Sequence, residues 1–335
     1  PGGIVSDRHV HKVTVKVTDD HSGTLQAEVS YDGGATFTNV YSEEKTYGSL
    51  GGLVVEKTLE GRTMHAGEFA FSIEGADDAS KALLKRVDKD ANGALQFSNP
   101  NDRAAGVADV MKPIDGIKFT QADAGKTFEF VVSEVVPGDG GKLAGVTYDE
   151  ATHKVEIAVS LKDGISLDVA TYVDGKLVES GTPTVAFTNT YAPANTEYAT
   201  TNFGLNKVLE GRDWIDSDSF TFELKALDGG PLPKDAAGND VTTATVAKEN
   251  AESFGFGTIE FTSDMVKAEP DHKRTFTYEV REVVPADSHK LPGIQYDDNV
   301  ATIKVTVSDD GSGMLKASAV AENTRFVNRY AAEID

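Results

Sequence analysis

The stretch VVEKTLEGR (54–62) returns as LNKVLEGR (205–212), and how this pair is read decides the fold. Leu53, Val55 and Leu59 fall two or four positions apart, as do Phe203, Leu205 and Leu209. Residues i and i+2 of a strand share a face, so each set marks the apolar face of a strand. Lys57 and Lys207 sit in those same rows. Two further segments repeat in step. VVSEVVP (131–137) and EVREVVP (279–285) carry Glu134 and Glu282, in the rows of Phe128, Phe130, Val132 and of Phe276, Tyr278, Val280. FTNTY (187–191) and FVNRY (326–330) carry Asn189 and Asn328 between apolar neighbours of the same parity. A third copy, FTNVY (37–41), carries Asn39 with no lysine or glutamate segment before it.

The lysines lie 150 positions apart, and 18 positions separate Asn39 from Lys57 and Asn189 from Lys207. A period of this size means tandem domains rather than short solenoid repeats. KVTVKVT (12–18), KVEIAVS (154–160) and TIKVTVS (302–308) alternate apolar and polar residues as half-buried strands do. Helical pattern is confined to DDASKALLKRV (77–87) and SDMVKA (263–268). The expectation is an all-β protein of tandem Ig-like sandwiches with small helical insertions. Its units are the C-terminal part of a truncated domain at 1–43 and complete domains at 50–193 and 200–333. The polar segments YSEEKTYGSLGG (41–52) and YAPANTEYATTN (191–202) are expected to join them.

Composition bounds the function. With 335 residues, 39% of them apolar, the chain can build real cores. A net charge of −22 excludes a nucleic-acid partner, which needs a basic footprint. No run of 18 apolar residues is present, so no membrane-spanning helix is expected. The start, PGGIVSDRHV, is neither a signal peptide nor an initiator Met, and a piece of a longer protein is expected. With no cysteine, disulfides and thiolate chemistry are excluded together. This fits a reduced compartment, or a secreted protein that uses another staple.

Six polar groups on core-facing rows carry a cost, because a buried ammonium or carboxylate must pair or become neutral. Burial favours a neutral amine and a neutral acid. A neutral lysine is a nucleophile, an asparagine amide with a polarised carbonyl is an electrophile, and a protonated glutamate can hydrogen-bond that carbonyl and relay protons. The product is a Lys–Asn isopeptide bond, made once per domain with loss of ammonia.

Together the VxKxLEGR, E-V-V-P and F-T-N-x-Y segments resemble the isopeptide-containing domains of Gram-positive major pilins and surface stalk proteins, the T-antigen type with a Cna B-like, Ig-like fold. The resemblance covers nearly the whole chain. It implies a Lys57–Asn189 link assisted by Glu134 and a Lys207–Asn328 link assisted by Glu282. FVNRY departs from FTNTY at Val327 and Arg329, both on the opposite face. It further implies a structural stalk segment, not a turnover enzyme, on the cell-wall-anchored surface of a Gram-positive bacterium. Neighbouring domains of the same surface protein would be its partners, with host or surface ligands engaged through other domains. Asn39, lacking its lysine and glutamate, is expected to stay unlinked, with its strand edges free to seek a partner.

Competing readings are weaker. A ligand-binding adhesin module would use loops such as 76–118, but that insertion is mostly Asp, Asn, Lys and Ala. A glycosidase needs two carboxylates facing across a cleft, and nothing marks such a pair. DKDANGALQFSN (88–99) imitates a calcium loop but ends in Asn99 where a bidentate Glu is required. His9 and His11 share a strand face without a third ligand, and Trp214 reads as a packing residue. No cofactor or metal is expected.

Overall fold

A computed structural model describes residues 3–34, 36–50, 52–269 and 271–332. Positions 1, 2 and 333, at the outer limits of the expected first and third units, lie outside the described residues. The protein is all-β. Two helical turns, Asp78–Leu84 and Asp264–Lys267, are its α-helices among those residues, inside the two segments with helical pattern. Asp77 caps the first by accepting a hydrogen bond from the Ser80 amide.

Two hydrophobic cores form, each between two sheets. The first gathers residues from Tyr47 to Tyr191, the second residues from Phe203 to Phe326. Around the first core, a six-stranded antiparallel sheet holds the glutamate strand, Thr127–Glu134, between Thr152–Lys162 and Ala70–Gly75. The facing four-stranded sheet pairs the lysine strand, Val54–Glu60, with the asparagine strand, Thr184–Tyr191. The second core repeats this plan. Its glutamate strand, Lys273–Glu282, lies in a five-stranded sheet, opposite a three-stranded sheet pairing Asn206–Glu210 with Arg325–Tyr330.

In both cases the lysine and asparagine strands run parallel, whereas every other named strand pair is antiparallel. A parallel pair cannot be joined by a hairpin. These are the first and last long strands of their sheets' chain segment, and everything between them forms the crossover. Glycine shapes the end of the lysine strand. Gly61 has φ +96°, and a Cβ there would lie 2.2 Å from the Tyr191 carbonyl oxygen; Gly211 repeats this at 2.3 Å from that of Tyr330. The following arginines stack on the same tyrosines, at 5.0 Å for Arg62 on Tyr191 and 5.1 Å for Arg212 on Tyr330. This close approach explains why LEGR and F-x-N-x-Y recur as a set.

Both segments expected to join the units contain short strands. Glu44–Thr46 adds to Lys118–Thr120, and Thr196–Ala199 adds to Thr258–Phe261, each as an antiparallel ladder. Tyr47 is buried, with its hydroxyl 2.9 Å from that of Thr171. The apolar content of these segments is low, but each gives its backbone to a two-stranded ladder with a short strand of the unit that follows.

Residues 3–43 are built differently. Lys12–Asp19 and Leu25–Asp32 form a hairpin exposed along its whole length, and Ile4–Val5 pairs with Val40–Tyr41. His9 and His11 do not share a strand, because the strand begins at Lys12. His9 Nδ1 instead lies 2.6 Å from Asp7, and His11 packs edge-on against Phe37. Trp214 is partly buried and packs edge-on against Phe220. In the calcium-loop mimic, Asn99 is buried and bonds Phe69 and His65, a structural role. Among the described residues no group of His, Asp and Glu is placed to hold a metal ion, and no helix is long and apolar enough to cross a membrane.

Candidate functional site

Each glutamate reaches across its sandwich to the facing sheet. Lys57 Nζ donates to Glu134 Oε2 at 2.6 Å, and Asn189 Nδ2 donates to Glu134 Oε1 at 2.7 Å. Lys207 Nζ donates to Glu282 Oε2 at 2.8 Å, and Asn328 Nδ2 to Glu282 Oε1 at 2.6 Å. All six residues are buried. The register makes this possible. Phe187 stands beside Lys57 and Leu59 beside Asn189 across the parallel ladder, so lysine and asparagine occupy neighbouring positions on one face. Phe326 and Leu209 do the same for Lys207 and Asn328.

The surroundings are apolar. Lys57 Nζ lies 4.7 Å from the centre of the Phe69 ring, and Lys207 Nζ lies 4.9 Å from that of Phe220. Desolvation pulls both lysines below the usual ammonium range, although their glutamates and, more remotely, Asp149 and Asp297 favour the charge. Desolvation pushes both glutamates above the usual carboxylate range, against the pull of the lysines. The two shifts act in one direction, moving the proton from amine to carboxylate.

One pair of residues escaped the sequence reading. The Asp149 amide donates to Asn189 Oδ1 at 2.7 Å, and the Asp297 amide donates to Asn328 Oδ1 at 2.8 Å. The Asp149 carboxylate accepts in turn from the Thr188 amide at 2.9 Å, and that of Asp297 from the Val327 amide. Each aspartate thereby clamps its asparagine by putting a backbone donor on the amide oxygen, the place expected for the glutamate, which bonds the amide nitrogen instead. The available signal was the repeat YDE (148–150) and YDD (296–298). In both, the tyrosine hydroxyl accepts a backbone amide five residues upstream.

Asn39 has the same clamp. The Asp7 amide donates to Asn39 Oδ1 at 2.9 Å, and Asp7 Oδ2 accepts from the Thr38 amide at 2.8 Å. That bond and the His9 amide hold the Asp7 carboxyl down at about 2. Asn39 is exposed and bonds no lysine or glutamate among the described residues.

The Spy0128-like isopeptide-containing domain model matches three stretches, residues 2–42, 53–192 and 203–331. The chain belongs to that family. Its Spy0128-like stretches each contain one clamped asparagine, at Asn39, Asn189 and Asn328. Solved structures similar to the chain include the major pilin protein T-13 of Streptococcus pyogenes, at 15% identity over 83% of this chain and 97% of that one, with a TM-score of 0.26. Another is the major pilin from Streptococcus pyogenes, at 17% identity over 83% and 98%, with a TM-score of 0.26. The SpaE basal pilin from Lactobacillus rhamnosus GG follows at 12% identity over 84% and 90%, with a TM-score of 0.22. No protein of curated function matches the chain.

Proposed function

We propose that the chain is a load-bearing segment of a pilus or stalk on the cell-wall-anchored surface of a Gram-positive bacterium. Each complete Spy0128-like unit is stapled by its own Lys–Asn isopeptide bond. The observation that carries this reading is that one buried carboxyl group holds both reactants, Lys57 with Asn189 and Lys207 with Asn328.

The chemistry follows from that geometry. Burial favours a neutral amine and a protonated glutamic acid, since each shift carries its group toward the uncharged form. The Lys57 nitrogen lone pair attacks Cγ of Asn189, whose oxygen is held by the Asp149 amide. The protonated Glu134 passes its proton to the leaving nitrogen from one oxygen and takes one from the attacking nitrogen at the other. The C–N bond to the amide nitrogen breaks, ammonia departs, and Glu134 ends in its starting protonation state. Lys207, Glu282, Asn328 and Asp297 repeat these roles. The event happens once per unit, so no substrate turns over. Asn39 stays unlinked within this chain.

The link joins the first and last long strands of each unit, which already lie side by side. Tension entering along one leaves along the other without loading the strands between. Tryptic peptide mapping tests the placement: branched peptides joining Lys57 to Asn189 and Lys207 to Asn328 are expected. Free, cleavable lysines at both positions would overturn it.

A further inference from the structure

The three segments that carry the first complete unit's reacting groups all end at one place, and a hairpin of the second complete unit sits on it. Five positions after Lys57, Arg62 lies 5.0 Å from the centre of the Tyr191 ring, and Tyr191 itself follows Asn189 by two positions. Ala144 and Gly145 lead into Asp149, whose amide bonds the Asn189 oxygen. That loop is tied to the same end, because the Ala192 amide donates to the Gly145 carbonyl at 2.9 Å.

Strand ends are where local opening begins. The asparagine strand stops at Tyr191 and the lysine strand at Glu60. Asp149 hangs on a two-residue strand, Val146–Thr147, which pairs with Tyr191 and Thr190. The reaction needs the Lys57 nitrogen, the Asn189 carbon and the Asp149 amide aligned together, and a misplacement of about 1 Å can cost about a hundredfold in rate. Before the bond exists, only packing and hydrogen bonds can supply that alignment.

The hairpin SDDGSGML (308–315) adds such contacts from the second unit. The Tyr191 hydroxyl donates to Asp309 Oδ1 at 2.7 Å and accepts from the Gly313 amide at 3.1 Å. The Ala194 amide donates to the Gly313 carbonyl at 2.9 Å, and the Leu315 amide to the Ala194 carbonyl at 3.0 Å. Gly313 has φ +92°, and a Cβ there would lie 2.4 Å from that of Ala144, so glycine is what lets the hairpin approach this closely. A Cβ at Gly311 would meet Arg62 Cδ at 3.5 Å, so the hairpin also reaches the segment that follows Lys57. Asp309 is itself held in place. Its Oδ1 accepts from the Gly311 amide at 2.9 Å, and its own amide donates to the His272 carbonyl at 2.9 Å. Leu315 is buried in the second core, so the hairpin's position is set by the fold of the second unit.

We propose that Asp309 and Gly313 are positioning residues for the Lys57–Asn189 bond, and that the first unit links slowly until the folded second unit docks on Tyr191. This rests on the cross-link reading and adds an order of events to it. The bond made and the ammonia released are those given above, and the hairpin exchanges no atom or proton with the reacting groups.

Timed cell-free synthesis of the full chain tests this. Samples are denatured at intervals and digested, and the branched peptides joining Lys57 to Asn189 and Lys207 to Asn328 are quantified by mass spectrometry. Tyr191→Phe keeps the ring under Arg62 and loses only the hydroxyl, whereas Asp309→Ala removes the acceptor. Each is expected to slow Lys57–Asn189 linking at least about fivefold, with Lys207–Asn328 linking at the wild-type rate. The double variant should be no slower than Tyr191→Phe alone, because both changes act through the same hydroxyl. Asp309→Asn keeps an acceptor oxygen and should restore the rate. Trp214, the single tryptophan, packs on Phe220 and reports by its fluorescence that the second unit is folded in each variant. Wild-type rates in Tyr191→Phe and Asp309→Ala overturn the proposal and leave the cross-links standing. Equal slowing of both links overturns it too. Absence of the Lys57–Asn189 peptide from the wild-type chain would instead take down the cross-link reading, and the proposal with it.

Discussion

Replacing Glu134 by alanine is expected to leave the first complete unit unlinked and strongly destabilised, while the second stays as it was. Three losses add up. The proton relay disappears, so Lys57 and Asn189 remain separate. The staple closing the 132 positions between them is then missing, worth about 4–5 kcal/mol in the chain-entropy model. A lysine also stays buried over Phe69 without the carboxylate that held it, at a cost of about 3–5 kcal/mol. The expected calorimetric result is two transitions in place of a joint one, with the first unit's Tm lowered by roughly 15–30 °C. Glu134→Gln separates the terms. It fills the same volume and can still bond Asn189, so it should abolish the link with a smaller fall in Tm. A Glu134→Ala chain that melts like wild type would sink the role given to this carboxylate.

Asn328→Ala should show under tension what the second staple does. With the proposed bond in place, force applied to the ends of the wild-type chain is expected to pass through Lys207 and Asn328 across one covalent link. The intervening segment then adds nothing to the extension. With alanine at 328 the bond cannot form, and 121 positions become free to unravel. Single-molecule pulling is expected to reveal one new step of about 400 Å for the second unit, from about 3.3–3.6 Å per extended residue. The first unit supplies an internal control, since it should still yield no step. A wild-type chain releasing both segments at ordinary unfolding forces would remove the mechanical argument.

These predictions draw on features of unequal visibility in the sequence. Strand parity was enough to place Lys57, Glu134 and Asn189 in apolar rows, because period-two alternation directly reports a half-buried face. The two short helical segments also read plainly. Parallel pairing of the lysine and asparagine strands did not. Alternation says which side chains share a face, not which strand lies beside which. The aspartate clamp was hidden for another reason. Asp149 and Asp297 act through a backbone amide and a carboxylate cap, and neither has a residue pattern beyond the YDE and YDD repeat. Segments 41–52 and 191–202 looked like linkers because much of their contribution is ladder hydrogen bonds, with Tyr47 and Tyr191 as isolated core aromatics among polar residues. The hairpin at 308–315, which bonds the Tyr191 hydroxyl through Asp309 and Gly313, has no such pattern either. Its glycine is required by Ala144, a residue 169 positions away in another unit.

Cross-linking within each complete unit is the claim on which the rest of the mechanical reading depends, and it changes the covalent mass of the chain. Electrospray mass spectrometry of the purified, denatured protein measures it without any assumption about structure. The expected value lies about 34 Da below the mass calculated from the sequence, about 17 Da for each ammonia lost, with Asn39 contributing nothing. A mass equal to the calculated one would contradict both cross-links and leave the glutamates as buried ion-pair partners only.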